Sequence, residues 1–386
     1  MNTRKYKVWA EIDLSALSHN YRLIAEKAHA QSPDCRVIAV VKSDAYGHGA
    51  ELVARTLLGE GCDFFAVAAV TEAEILRPVL GETPELMILG YTLPEDAEIL
   101  CRLHIIQTVF SVEYARALSD EMERLIHEKI LPGGSSLRVH VKLDTGMNRL
   151  GFDASDAEGT ADAIRAIAAY PHLQIEGMFT HLCCADTDAA ETGMTKKQLA
   201  RFETVEALLK ESGDCPPVVH CCNSAGILHL PRVYKSCVRA GIILYGMSPS
   251  GEILPEFRPV MALKTRIAHI HTLKAGESVS YGATFTSERD MRIATVPIGY
   301  GDGFVRRYKC ASMRLPDGTD APIVGRICMD QCMIDIGNAD VHPGDEITVF
   351  GTDDGTMLEN IARAGETINY EISSILTRRV VRLVKP

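Results

Sequence analysis

Between positions 37 and 244 the chain repeats one pattern: a short apolar, β-branched run followed by a longer amphipathic segment. The apolar runs fall at 37–41, 64–70, 86–89, 105–109, 137–143, 175–179, 218–220 and 238–244. Helix-like segments fall at 14–30, 48–58, 71–80, 112–130, 154–169 and 196–211. Strand alternating with helix makes parallel βα units. Eight such strands predict an α/β fold with an N-terminal (β/α)8 TIM-type barrel. A doubly wound parallel sheet is the alternative.

After about Gly246 the texture changes. Segments 261–273, 291–298, 323–328 and 347–350 are rich in β-branched residues and separated by turns such as Asp317-Gly318 and Pro343-Gly344. Only 357–364 reads as helical. The expectation is a C-terminal, mostly antiparallel β domain. The domains are then 1–247, the barrel, and 248–386, with a Pro/Gly-containing linker at 248–257.

Bulk properties narrow the function. A net charge of −11 over 386 residues argues against nucleic acid or an anionic membrane as partner. No run reaches the roughly 18–20 apolar residues that span a bilayer, and no apolar stretch typical of a signal peptide follows the basic first residues. The 12 cysteines include the adjacent pairs Cys183-Cys184 and Cys221-Cys222. They have no C-x-x-C spacing and read as free thiols in a reducing, cytoplasmic setting. No metal site is expected.

In a barrel of this kind chemistry collects at the carboxyl ends of the strands. There the sequence sets Lys42, followed by Ser43-Asp44-Ala45-Tyr46-Gly47-His48-Gly49. Further along come Lys142, with Asp144-Thr145-Gly146-Met147-Asn148-Arg149, then His181, Asn223-Ser224 and Arg239-Ala240-Gly241-Ile242. Singly each has a bland reading: a solvated lysine, a structural histidine, Ser224 as a helix N-cap, Arg239 as an ion-pair partner, turn glycines. Together they suit a pyridoxal 5'-phosphate (PLP) site. A lysine amine condenses with an aldehyde. Backbone N–H groups at a helix start, here Ser224, Gly241 and Ile242, hold a phosphate. An arginine can face the ring nitrogen, with a histidine beside the ring.

The segment 40–49 closely resembles the cofactor-attachment segment of alanine racemases. So do Trp9-Ala10-Glu11-Ile12-Asp13 and the segments at 141–152, 220–225, 238–246, 279–284, 297–303, 324–331 and 367–372, in order and approximate spacing. The resemblance implies PLP as cofactor and alanine as substrate, in a two-base racemase that supplies D-alanine for peptidoglycan. Lys42 would attach the cofactor and act as one acid/base, with Tyr281 as the other. Tyr46, Ser224, Gly241, Ile242 and Tyr370 would hold the phosphate. Arg239 would face the pyridine nitrogen with His181 supporting it. Arg149 would touch the cofactor and the substrate carboxylate, to which Met329 would offer its backbone N–H. Lys142 is the position often carbamylated. Tyr300 and Tyr370 would narrow the entrance, with Asp186, Arg306, Arg326 and Asp330 further out. A homodimer with shared active sites follows from the same resemblance. Ser43 and Gly301 depart from the common pattern, which leaves a serine or broad-specificity racemase as the alternative. A PLP-dependent decarboxylase and a barrel-only PLP-binding protein are weaker readings.

Overall fold

The computed structural model describes residues 3–188, 193–351 and 355–385. The chain forms two compact units. One comprises Tyr21–Ala45 with Ala50–Leu244; the other joins Met1–Asn20 and Tyr46–Gly49 to Tyr245–Pro386.

The first unit is a closed barrel. Its parallel strands, in order, are Arg36–Val40, Phe64–Val67, Glu85–Ile88, Ile105–Val109, Leu137–Asp144, Leu173–Phe179, Val218–His220 and Cys237–Ala240; the last pairs with the first through Cys237 and Arg36. Each coincides with one expected apolar run. Residues of these strands are buried almost without alternation, as strands covered on both faces must be. Helices over Ala50–Gly59, Val70–Leu80, Val112–His127, Ala157–Ala168 and Gly193–Ser212 fill the connections. Side-chain caps start three of the unit's helices: Ser111 accepts from Tyr114 N–H, Asp156 from Gly159 N–H and Asn223 from Gly226 N–H. The helix Ala97–Arg102 escaped the sequence pattern, whereas Ser224–His229 was signalled only by its expected cap. Six residues are too few to establish a helical period.

One irregularity matters for the site. The register between the fifth and sixth strands shifts after Val139, so that His140 lies opposite Gly177. A Cβ at Gly177 would stand 2.6 Å from the His140 ring. Glycine here makes room for a fully buried imidazole.

The second unit is a nine-stranded sheet, antiparallel except at one edge. Its first strand, Val8–Ile12, comes from the N-terminus. It runs antiparallel to Met261–Arg266 and parallel to Val381–Val384. A small hairpin, Ser278–Val279 with Phe285–Thr286, projects a five-residue loop, and Leu273, Ile293, Val324 and Met333 pack beneath it with Val279 and Phe285. Beyond the expected helix, observed over Thr356–Ala364, the unit holds a second short one, Asn369–Ser374. Among the described residues no helix is long and apolar enough to cross a membrane.

Candidate active site

The first barrel strand ends at Val40, and the chain then makes one left-handed turn. Ser43, Asp44 and Ala45 have φ of 53°, 52° and 54°, and Tyr46 follows at 53°. Such a conformation costs L-residues roughly 1–2 kcal/mol each, so other contacts must enforce it. Ser43 N–H donates to Glu72 Oε1 at 2.5 Å, Ala50 N–H to Asp44 Oδ1 at 2.7 Å, and Ala45 N–H to the Val41 carbonyl at 2.9 Å. Glu72 also accepts from Ala68 and Ala69 N–H. Lys42 opens this turn. Burial pushes its ammonium below the usual lysine range, helped by the positive charge of Arg149 and opposed by Glu72.

The fifth strand carries Lys142, 3% exposed, whose Nζ donates to the Leu150 carbonyl at 2.6 Å. Burial first, then Arg149, brings its pKa down to about 8. Asp144 ends the strand and gathers the following loop by accepting N–H bonds from Gly146, Asn148 and Arg149 at 2.8–3.0 Å. The exposed Arg149 is thus aimed from a backbone fixed at three points.

Arg239, on the eighth strand, is also 3% exposed. Nη2 donates to the carbonyls of Thr180 and Cys221 at 2.7 and 3.1 Å, and Nη1 lies 2.7 Å from His220 Nδ1. A guanidinium only donates, so His220 accepts at Nδ1 and carries its proton on Nε2. That nitrogen lies 3.1 Å from His140 Nδ1 and donates to it. Burial, then the guanidinium, holds His220 well below the usual histidine range, and burial brings His140 to about 3. Both rings are neutral. Burial also lowers Arg239, to about 10, which leaves it cationic at neutral pH. Among the described residues its Nε has no hydrogen-bond partner.

The expected partner of Arg239, His181, is placed differently. Its Nε2 lies 3.4 Å from Asn223 Nδ2, and burial, then Arg239, drives it well below the ordinary range. The direct imidazole contact of Arg239 is therefore His220. The bland reading of Ser224 is corrected as well. Asn223 caps the helix, which frees Ser224 Oγ to accept Gly241 N–H at 3.0 Å. Gly241 and Ile242 then open a 3-10 turn, Ile242–Tyr245. Asp186 lies exposed beyond the sixth strand.

The remaining candidates sit in the sheet unit. Tyr46 packs against Tyr245 and Tyr370, with ring centroids 5.2 and 6.0 Å away. Tyr281 stands on the hairpin loop, 73% exposed. The backbone around it is unusual, with Ser280 at φ 69° and Ala283 at 45°, and Ser280 Oγ donates to the Arg326 carbonyl at 2.6 Å. Tyr300 and Met329 lie side by side through their backbones, Tyr300 N–H donating to Cys328 O and Gly301 N–H to Met329 O. Asp330 follows, paired with Arg379, and Arg306 is exposed.

Sequence reasoning missed Glu72, Asp144, Asn223, His220 and His140 as supports. Two carried a usable signal: Glu72 lies in a helical first turn, and Asp144 opens a Gly/Asn-containing loop. The histidines carried none, because only the barrel brings positions 140, 220 and 239 together.

The fold is a parallel βα barrel that gathers a half-buried lysine, a buried arginine and a helix-start hydroxyl on the carboxyl side of its strands. The profile of the alanine racemase N-terminal domain matches residues 12–249 and that of the C-terminal domain residues 260–384. The alanine racemase of Desulfovibrio desulfuricans is 41% identical over 97% of both chains, and that of Methanococcus maripaludis 38% identical over 98% of both. Among solved structures, the alanine racemase of Clostridium difficile 630 superposes with a TM-score of 0.88 at 37% identity, covering 99% of this chain and 96% of its own. That of Streptomyces coelicolor A3(2) gives 0.89 at 32% identity, covering 100% and 99%. The chain belongs to the alanine racemase family, whose members are isomerases.

Proposed function

We propose that this chain interconverts L- and D-alanine in the cytoplasm, using PLP attached to Lys42, and so supplies D-alanine for peptidoglycan. The observation that carries the reading is Lys42: an amine whose charge is disfavoured, on an enforced turn at a barrel strand's carboxyl end. The residues present fit the cofactor. Arg239 has an Nε donor without a protein acceptor, and Ser224 Oγ with the turn at Ile242–Tyr245 suits a phosphate. When bound, PLP withdraws electrons from the substrate's Cα and makes its proton removable.

The protein's groups then divide the work. Lys42, whose charge burial disfavours, would hold the cofactor's aldehyde carbon and would carry a proton on one side of Cα. Tyr281 carries the proton on the other side. Arg239 would offer its Nε donor to the cofactor's ring nitrogen and stays cationic at neutral pH. Arg149 and the Met329 N–H receive the substrate carboxylate. Tyr46 and Tyr370 border the phosphate, and Tyr300, Asp186, Arg306, Arg326 and Asp330 form the approach. A neutral Lys142 amine is the form that reacts with carbon dioxide, and its pKa of about 8 favours a carbamate that would brace Arg149. Exposed Tyr281 and Met329 suit a homodimer in which each chain completes the other's site.

Of the two departures that left serine open, Gly301 has a local explanation, since it faces Arg379; nothing in the structure explains the Ser43 side chain. Alanine is the favoured substrate because the relatives that match over the whole chain are named alanine racemases. The test is incubation of holoenzyme with L-alanine, and separately L-serine, in deuterated water. D-alanine bearing α-deuterium is expected; serine turning over faster, or no exchange, would reject the reading.

A further inference from the structure

The turn at Tyr300–Asp302 and the turn at Cys328–Asp330 are laced edge to edge. Tyr300 and Gly301 N–H donate to the Cys328 and Met329 carbonyls at 3.1 and 2.9 Å. Among the described residues the Met329 N–H donates to nothing. A single side chain spans both turns. Arg379 Nη2 lies 2.5 Å from Asp330 Oδ1, and its Nε lies 3.1 Å from Oδ1 of Asp302, a carboxylate with no exposed surface. The second contact is an ion pair rather than an aligned hydrogen bond. Asp302 Oδ2 in turn accepts Gly299 N–H at 3.1 Å, and Thr377 binds the Gly301 carbonyl through Oγ1 and the Asp302 carbonyl through N–H.

Gly301 lies beneath this bridge. Its φ is ordinary, so the backbone does not demand glycine. A Cβ there would instead stand 2.2 Å from Arg379 Nη1, with the Met329 carbonyl next at 3.0 Å. The guanidinium occupies the space of the missing methyl.

We propose that Arg379 is a positioning residue for the substrate carboxylate: by clamping Asp302 to Asp330 it sets the direction of the free Met329 N–H, and Gly301 is glycine to admit the clamp. The proposal rests on the racemase reading above. It concerns carboxylate binding alone, which separates it from any role in cofactor binding or proton transfer.

The test uses the holoenzyme and two ligands, alanine and ethylamine, which is alanine without its carboxylate. Both are followed by the change in cofactor absorption. Wild type is read first: failure to bind or racemise alanine removes the parent reading and this proposal with it. Arg379→Ala is expected to weaken either enantiomer of alanine about five-fold or more, as for the loss of one well-placed hydrogen bond, with ethylamine unchanged. KM should rise more than kcat falls. Arg379→Lys keeps a charge for buried Asp302 but cannot bridge both carboxylates, and should fall between. Gly301→Ala should mimic Arg379→Ala, yet add less than about two-fold when placed on top of it, because the obstructing group is gone. Equal weakening of alanine and ethylamine, unaltered alanine affinity, or a Gly301→Ala effect that is the same in both backgrounds would overturn the proposal.

Discussion

The barrel and the sheet unit hold their candidate site residues by opposite physical means. In the barrel, Lys142 and Arg239 are each 3% exposed, bonded to backbone carbonyls, and lowered in pKa by burial. The sheet unit instead presents Tyr281 at 73% and Met329 at 53% exposure, fixed by backbone conformation and by an ion-pair clamp. Burial tunes acidity but demands that every polar group be satisfied. Exposure leaves acidity to be set by whatever docks against it.

The contrast can be broken at either end. Replacing Lys42 with Ala removes both the covalent anchor and one proton carrier. Racemisation should fall at least about 10⁴-fold, and borohydride, which should trap cofactor on Lys42 in the wild type, should trap none in the variant. Racemisation by cofactor-loaded Lys42→Ala within about 100-fold of the wild-type rate would overturn the assignment. On the sheet side, Tyr281→Phe should lower racemisation about 10²- to 10⁴-fold in both directions, while leaving stability and cofactor attachment nearly intact, since the ring is exposed. A large fall in melting temperature would contradict the contrast.

Arg239→Leu should behave in the barrel's manner. It strands the Thr180 and Cys221 carbonyls and His220, and should destabilise the cofactor-free protein by about 3 kcal/mol in urea unfolding, a cost no exposed residue of the sheet unit should match. Lys142 sharpens the point through pH. Its native pKa of about 8 lies below the unfolded value, so its buried charge costs stability in full below pH 8. In buffer free of carbon dioxide, the wild type should gain on Lys142→Met as pH rises from about 8 toward 10.5, by up to roughly 3 kcal/mol. With ¹³C-bicarbonate present, a carbamate carbon signal should appear in the wild type alone. The smallest effect is expected from Glu72→Ala, about 1–2 kcal/mol from losing the acceptor for Ser43, Ala68 and Ala69 N–H, read as lowered stability with slower cofactor reloading.

The sequence by itself determined the eight strands of the barrel, because strands buried on both faces must be written in apolar residues whatever surrounds them. It also supplied the candidate side chains, Lys42, Arg239 and Tyr281 among them, since no other residue types carry an amine, a guanidinium or a phenol. The short helices Ala97–Arg102 and Asn369–Ser374 were illegible, being too brief to show a period, and Ser224–His229 was legible only through its polar start. The strand Val8–Ile12 could not be assigned to the sheet with Met261–Arg266 and Val381–Val384, because pairing across such separations leaves no local trace. Only the tertiary structure chose His220 over His181 as the partner of Arg239, and Asn223 over Ser224 as the cap. It alone set Arg379 above Gly301. These choices rest on which atoms meet at hydrogen-bonding distance, and that is fixed by the packing of distant segments rather than by the identity of any one of them.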